Sequence, residues 1–465
     1  MKPIKQLALY ALPAIAFLLP LNAMADGVDD YISFQIAERH VPGVAVAVIK
    51  GGSVVKMKGY GIASLEFNVP VSTQTAFEIG SVSKQMTAAA LMLLVEEGKV
   101  GLDDPVSKYL KNTPDTWKAV TIRHLLTHSS GVKNYTGLDG FDLAKRMKVD
   151  DFIKQLAPQP LDFTPGEKNI YSNSGFTLLA YVIESVSGKP YMEFMRDRVF
   201  EPLGMRHCGD RDPQFIIPNR ATGYEFRNDR YTGRDWNLTD LKGAGTIVCT
   251  IEDMVKWDEA LDGDKFLGPA SRKAIWTQFV FNNGQTSEYG FGWRITDVRG
   301  HKLIGHTGQT AGFASANYRF VDDKVDVIVL TNQGDSGGGG NLALGVAKLY
   351  VPELSIKGMK EVAGGDSALT VLVGKAFSER ADNKPDTDVF SPEMVRTLST
   401  DRMRVANARI KDVGAISSLT LVGLETAGAG KTYIYRAVTA KGASLWRITF
   451  TDDRKVRSMT LDERE

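Results

Sequence analysis

Phe77-Glu78-Ile79-Gly80-Ser81-Val82-Ser83-Lys84, running on through Gln85 to Glu97, is the stretch whose reading decides the rest. Gly80 punctuates the end of an extended run. From Val82 the apolar residues Met86, Ala89, Ala90, Leu93 and Leu94 recur with the period of an amphipathic helix, and Gly98 stands where a C-cap glycine belongs. The pattern places Ser81 at the mouth of a helix and Lys84 one turn on, so the two side chains share a face. A hydroxyl beside an amine at a helix N-terminus is a candidate activated nucleophile. The amine can take the proton, and free backbone N–H groups can hold negative charge.

The Ser-x-x-Lys spacing by itself is a weak signal, since roughly two are expected by chance in a chain of this length. Others occur. Ser53-Val54-Val55-Lys56 lies in an alternating, strand-like run, where residues three apart point to opposite faces. Ser130-Gly131-Val132-Lys133 spans a glycine just past a helical segment and reads as loop. Neither pairs its two groups on one face. For Ser81 a plain helix cap is the competing reading, so the rest of the chain has to decide.

With 465 residues, 43% hydrophobic and 24% charged, the chain has room for two or three cores. Its formal net charge of +1 gives no footing for nucleic acid or another charge-driven partner. Lys2 and Lys5, the mostly apolar run Leu7–Leu21 and the small-x-small triplet Ala23-Met24-Ala25 read as a cleavable export signal over residues 1–25. That run is short and interrupted by Pro13 and Pro20, so no stable membrane span is expected. The mature chain is expected to start at Asp26, in the periplasm or outside the cell. In that oxidising setting Cys208 and Cys249 could pair, but the sequence does not show that they meet. His124 and His128 are four apart on a probable helix, a spacing that can hold zinc. Leu125 and Leu126 sit between them without a Glu base or a third ligand, so they read as a packed, hydrogen-bonded pair. No metal or organic cofactor is called for.

Gly43 to Ser64 reads as a hairpin turning at Gly51-Gly52. From about Leu102 to Gly263 the pattern is mostly helical, as in Ile122–His128, Phe176–Val186, Tyr191–Phe200 and Ile251–Leu261. Strand signals return at Phe291–Asp297, Lys302–Gly305, Gly312–Phe320 and Val325–Thr331, and Leu342–Tyr350 reads as a closing helix. Strands early, helices in the middle and strands late predict one split sheet with a helical insertion over residues 26–353. A linker follows over 354–366, with Gly364-Gly365-Asp366 in it. Residues 367–465 then read as a small α+β domain: a helix starting at Ser391-Pro392 and four antiparallel strands from Ser418 on. That domain is read as structural, or as binding a partner or another copy.

Two more elements bear on Ser81. Tyr171-Ser172-Asn173 follows a Pro165-Gly166 loop and precedes a helix, and His306-Thr307-Gly308 ends one strand and opens the next edge of the sheet. Ser-x-x-Lys, then Tyr-x-Asn, then Lys/His-Thr-Gly on a strand resembles the serine β-lactamase and penicillin-binding superfamily, in its class C β-lactamase and serine DD-peptidase branch. Thr121-Ile122-Arg123-His124-Leu125-Leu126-Thr127-His128-Ser129-Ser130-Gly131, Glu201-Pro202-Leu203-Gly204-Met205 and Gly290-Phe291-Gly292-Trp293 add to the likeness, which covers roughly residues 27–352.

The resemblance implies an α/β fold: a β-lactamase-like antiparallel sheet flanked by helices, with a mostly helical insertion. It implies an acyl-enzyme on Ser81, with Lys84, its proton affinity reduced where it is desolvated, as base and Tyr171 as proton shuttle, the more so if a cationic Lys84 lowers the phenol pKa. Asn173 would bond Lys84 and the substrate, and the backbone N–H groups of Ser81 and Gln309 would form the oxyanion hole. His306 and Thr307 would face a substrate carboxylate, and Gly308 would let the backbone come close. Branch β-lactamases usually carry Lys where His306 stands, a permanent positive charge for a substrate carboxylate, whereas His, with an unperturbed pKa of about 6.5, gives only a partial one at neutral pH. The His form looks more like DD-carboxypeptidases, D-aminopeptidases and some esterases. A peptidase acting on D-amino-acid, cell-wall-type peptides is therefore expected. The alternatives are a carboxylesterase or weak β-lactamase on the same site and, in another class, a non-catalytic peptide-binding protein.

Overall fold

Val44, Val46 and Val48 leave one face of the strand Gly43–Lys50, and Ala45, Ala47 and Ile49 leave the other, so the strand is buried on both sides. The valines pack on Val28 and Ile32 of the helix Gly27–Arg39 and on Leu342, Ala343 and Val346 of the helix Gly338–Tyr350. The alanines face the larger core, which holds the helix Ser83–Glu96. Two helical layers on one sheet follow from that double burial. The computed structural model describes residues 27–212, 214–234, 241–263, 265–334, 338–400, 403, 407, 414–427 and 430–465. The leader-like segment and Asp26 lie outside the described residues.

The central sheet has seven antiparallel strands in the order Val69–Pro70, Ser53–Ser64, Gly43–Lys50, Val325–Thr331, Phe313–Phe320, His301–Thr310, Arg294–Val298. Its first and last long strands pair directly, from Val44 opposite Thr331 to Lys50 opposite Val325. The sheet is thus split by the insertion between them, as the strand–helix–strand order predicts.

Three local expectations need correction. Ser83–Glu96 is not amphipathic: Ser83, Lys84, Gln85 and Thr87 are as buried as Met86 and Leu91. It is a central helix covered all round, and its polar side chains bond internally. Thr87 Oγ1, for example, donates to Gly243 O at 2.7 Å. The insertion is less helical than its periodicity predicts. Ile247–Thr250 pairs with Ala76–Glu78 and Gly209–Asp210, and Tyr224–Arg227 with Arg230–Gly233. Strands this short carry too few alternations to register. The helices Gly27–Arg39 and Ser367–Ala381 also went unflagged; the second is N-capped by Asp366, inside the expected linker.

Beyond residue 366, four antiparallel strands (Ile416–Ala427, Gly430–Thr439, Gly442–Phe450, Val456–Arg464) pack against Ser367–Ala381 and Pro392–Leu398 around Val373, Phe377, Phe390, Tyr435 and Trp446. Arg299 pairs with Glu463 at 2.5 Å, and Ile356 N donates to Glu465 Oε2 at 2.7 Å, tying this layer to the first. Among the described residues no helix is long and apolar enough to cross a membrane.

Cys208 and Cys249 form a disulfide across 41 residues of chain, joining the Gly209–Asp210 edge to the buried strand Ile247–Thr250. Closing a loop of that size is worth about 2–4 kcal/mol. Cys208→Ala with Cys249→Ala is expected to lower unfolding free energy by that amount in urea titration. Unchanged stability would mean that the bridge does no such work.

Candidate active site

Ser81 sits in a single 3-10 turn, Gly80–Val82, that feeds directly into the helix Ser83–Glu96. The turn is pressed against the strand His301–Thr310, and two glycines make that approach possible. Gly80 has φ +49°, and a Cβ on it would lie 2.7 Å from Gln309 N. A Cβ on Gly308 would lie 1.9 Å from Ile79 O. The close approach at Gly308 is therefore to the Ser81 turn itself. Ser315 Oγ reinforces the contact by donating to Ile79 O at 2.7 Å.

Lys84 is fully buried. Its Nζ lies 3.0 Å from Ser81 Oγ, 2.8 Å from Asn173 Oδ1 and 2.7 Å from Ala244 O. Burial holds its pKa well below the ordinary lysine value. The carbonyl oxygens of Ala244 and Asn173 only accept. A neutral amine has two N–H groups for those two oxygens, and its lone pair is left facing the Ser81 hydroxyl. Asn173 is held in turn: its N–H donates to Asn134 Oδ1 at 3.0 Å and its Nδ2 to Thr136 Oγ1 at 3.3 Å.

Tyr171 covers the amine, with its ring centre 4.7 Å from Lys84 Nζ. Its buried hydroxyl makes no hydrogen bond of ordinary geometry. Burial raises the phenol pKa, with Ser81 acting more weakly the other way. The lowering that a cationic Lys84 would bring is therefore not met, because burial disfavours the charged form of both groups.

His306 is inside the strand His301–Thr310, not at its end. The neighbouring strand Arg294–Val298 pairs with it only as far as Gly305, so residues 306–310 keep a free edge. Along that edge Thr307 and Gln309 are exposed, while His306 and Gly308 are buried. A cavity of about 540 Å³ opens here, lined by Ser81, Tyr171, Arg294, His306, Thr307, Gln309 and Tyr318, among others. Every residue expected at the site therefore converges on one cavity or its floor.

With that geometry in hand, comparison with known proteins is direct. The family model described as beta-lactamase matches residues 27–350. This chain belongs to the beta-lactamase family. It is 31% identical to penicillin-binding protein 4* of Bacillus subtilis over 316 residues, 64% of this chain and 70% of that protein. It is 27% identical to a D-aminopeptidase of Brucella anthropi over 406 residues, 83% and 76% of the two chains. A penicillin-binding protein from Bacillus halodurans superposes with TM-score 0.61 at 27% identity, covering 70% of this chain and all of that one. An octameric penicillin-binding protein homologue from Pyrococcus abyssi gives TM-score 0.62 at 22% identity, covering 94% and 98%. Like its family, this chain is a serine hydrolase.

One expectation for this family member fails on electrostatics. His306 cannot offer a substrate carboxylate even a partial charge. Its Nδ1 is 2.6 Å from Thr307 O, which only accepts, so the proton is on Nδ1 and Nε2 takes the Tyr289 hydroxyl at 2.8 Å. Burial lowers its pKa to about 3. The cation on the cavity wall is Arg294 instead, directly opposite Gly305 in the strand register. It is exposed and makes no ion pair or side-chain hydrogen bond among the described residues. No motif flagged Arg294; only the register of the two strands would have found it.

His124 and His128 do bond as a packed pair would, each to a different amide. His124 Nδ1 accepts from Thr121 N at the helix cap, and His128 Nδ1 accepts from Ser172 N.

His306 neutral when folded and ordinary when unfolded means that the unfolded chain binds more protons between about pH 6.5 and 3. Its contribution therefore lowers stability as pH falls through that window. By NMR, the His306 imidazole is expected to stay neutral from about pH 7.5 to 4.5, whereas a free histidine would titrate near 6.5. Titration near 6.5 in the folded protein would refute this.

Proposed function

We propose that this serine hydrolase is a peptidase acting on peptides built with D-amino acids, of the cell-wall type, through an acyl-enzyme on Ser81. The observation that carries the reading is the buried Lys84 amine, 3.0 Å from Ser81 Oγ and held there by Asn173 Oδ1 and Ala244 O. In the first step Ser81 Oγ bonds to the substrate carbonyl carbon while its proton passes to Lys84. The backbone N–H groups of Ser81 and Gln309, brought together by the Gly80 contact, hold the oxyanion. The proton then travels through the neutral Tyr171 hydroxyl to the leaving nitrogen, and the carbon–nitrogen bond breaks. Water, activated by the same groups, releases the acid and restores Ser81.

Arg294 supports a substrate with a free carboxylate beyond the scissile bond, since it is the cavity's permanent cation. The penicillin-binding protein and D-aminopeptidase among the relatives agree with this substrate class. A second reading, a carboxylesterase, is favoured by the neutrality of His306: no permanent charge sits beside Tyr171 where a lysine would put one. A periplasmic or secreted setting is supported by the leader-like N-terminus and by the Cys208–Cys249 bridge.

Two measurements test the reading. Ser81→Ala should abolish labelling by a fluorophosphonate, and Lys84→Ala should slow it by on the order of 100-fold or more. An unchanged rate in Lys84→Ala would move the base role elsewhere. Arg294→Met should raise KM about tenfold for a peptide ending in D-alanyl-D-alanine while sparing p-nitrophenyl acetate, since a hydrogen bond to a charged group is worth about 1.5–3 kcal/mol. Equal effects on both substrates would favour the esterase reading.

A further inference from the structure

Tyr171 does not belong to any regular element, yet its phenol has to be aimed at the Ser81–Lys84 pair. What aims it is visible on the opposite strand of chain. Immediately after the helix Ile122–Leu126, residues 127–132 run beside residues 162–172 and bond to them repeatedly. Asn169 Nδ2 donates to Thr127 O at 2.6 Å, Gly166 N to Ser129 O at 2.8 Å, and Ser172 Oγ to Val132 O at 3.1 Å.

His128 occupies the centre of this contact. Its carbonyl accepts from Ile170 N at 3.1 Å, and its Nδ1 accepts from Ser172 N at 3.2 Å. The two bonds straddle Tyr171. The imidazole also packs on the Tyr171 ring with centroids 4.3 Å apart, with Tyr289 behind it at 4.6 Å. We propose that His128 is a positioning residue, a clamp that fixes the Tyr171 phenol over the Ser81–Lys84 pair by holding the backbone amides on both sides of it.

The backbone of His128 supports the assignment. It has φ +56°, in the left-handed region, and the residue is 2% exposed. After a helix, this conformation is normally given to glycine or asparagine, which adopt it at little cost. Glycine here would relieve the strain but would leave Ser172 N without its acceptor. Strain of this kind persists where the side chain does something that the relaxed residue could not.

The clamp also fixes the protonation state. An imidazolium has no lone pair for Ser172 N, so the ring must be neutral with its proton on Nε2. The environment agrees. Burial first, with the facing guanidinium of Arg294 adding to it, holds the ring's pKa well below its ordinary value, while burial keeps the neighbouring phenols of Tyr171 and Tyr289 protonated.

The proposal rests on Tyr171 being in the proton path, so the experiment is a cycle that tests both. Four proteins are compared with the parent: His128→Gly, His128→Asn, Tyr171→Phe and His128→Gly with Tyr171→Phe. The readouts are fluorophosphonate labelling of Ser81, kcat and KM on p-nitrophenyl acetate, and near-UV circular dichroism for the folded fraction. Displacing a reacting group by about 1 Å costs up to about 100-fold, so His128→Gly is expected to slow labelling and kcat at least about tenfold with KM nearly constant. Asparagine carries an acceptor at the same δ position and tolerates positive φ, so His128→Asn should recover the rate to within about threefold. On the Tyr171→Phe background His128→Gly should add less than about twofold, because the clamp then has nothing to aim.

The clamp is overturned if His128→Gly labels at the parental rate, if folded His128→Asn is as slow as His128→Gly, or if the two losses multiply. Should His128→Gly fail to fold, folded His128→Asn decides alone: recovery supports the clamp, and a loss beyond tenfold removes it. A parental rate in Tyr171→Phe is a separate result. It would sink the proton path through Tyr171, whatever His128 does.

Discussion

An amine buried without a counter-ion is the constraint on which this structure depends. Among the described residues Lys84 has no carboxylate partner, only the oxygens of Ser81, Asn173 and Ala244. Burial without an opposite charge disfavours the ammonium and holds the lysine pKa well below its ordinary value. The fold secures each oxygen separately. Ala244 follows Gly243, whose carbonyl is tied to Thr87 Oγ1 on the same helix as Lys84. Thr87 in turn lies 2.7 Å from the Tyr191 hydroxyl. Asn173 opens its own helix and is anchored to Asn134. A buried polar network of this sort is worth having only when every member is satisfied.

Charge is sorted by depth around that amine. The floor and inner wall carry titratable groups whose charged forms burial disfavours: Lys84, His306, Tyr171, His128 and Tyr289. The guanidinium of Arg294 lies at the exposed rim. A ligand anion would therefore be held at the mouth, while the carbonyl under attack would meet a low-dielectric interior. In such an interior a backbone N–H acts more strongly on developing charge than it would in water. Arg294 stands opposite Gly305, where the pairing of the two strands ends and the free edge from His306 begins.

Much of the site was legible because its parts are local. Ser81 and Lys84 are set by one turn of helix, Tyr171 and Asn173 by the start of another, and Thr307 to Gln309 by a strand. What misled was the assumption that each group keeps its ordinary solution character. His306 reads as a half-charged imidazole until Thr307 O and Tyr289 are seen to fix its tautomer. Tyr171 reads as an acidified phenol until its burial is known. The helical bias of the insertion likewise hid Ile247–Thr250, which is too short for its alternation to count and is a strand because Ala76–Glu78 and Gly209–Asp210 lie on either side of it.

The sequence by itself determined the order of strands and helices, the split sheet, the tail's α+β character and the residues that meet at Ser81. Periodicity, glycine placement and motif spacing are properties of neighbours along the chain, and they survive without a third dimension. Tertiary structure alone decided which of those residues are charged, that Arg294 rather than His306 carries the cation, that Cys208 meets Cys249, and that His128 holds both sides of Tyr171. Protonation depends on burial, and contact depends on strand register and loop path. Both arise only when segments distant in the chain are packed together.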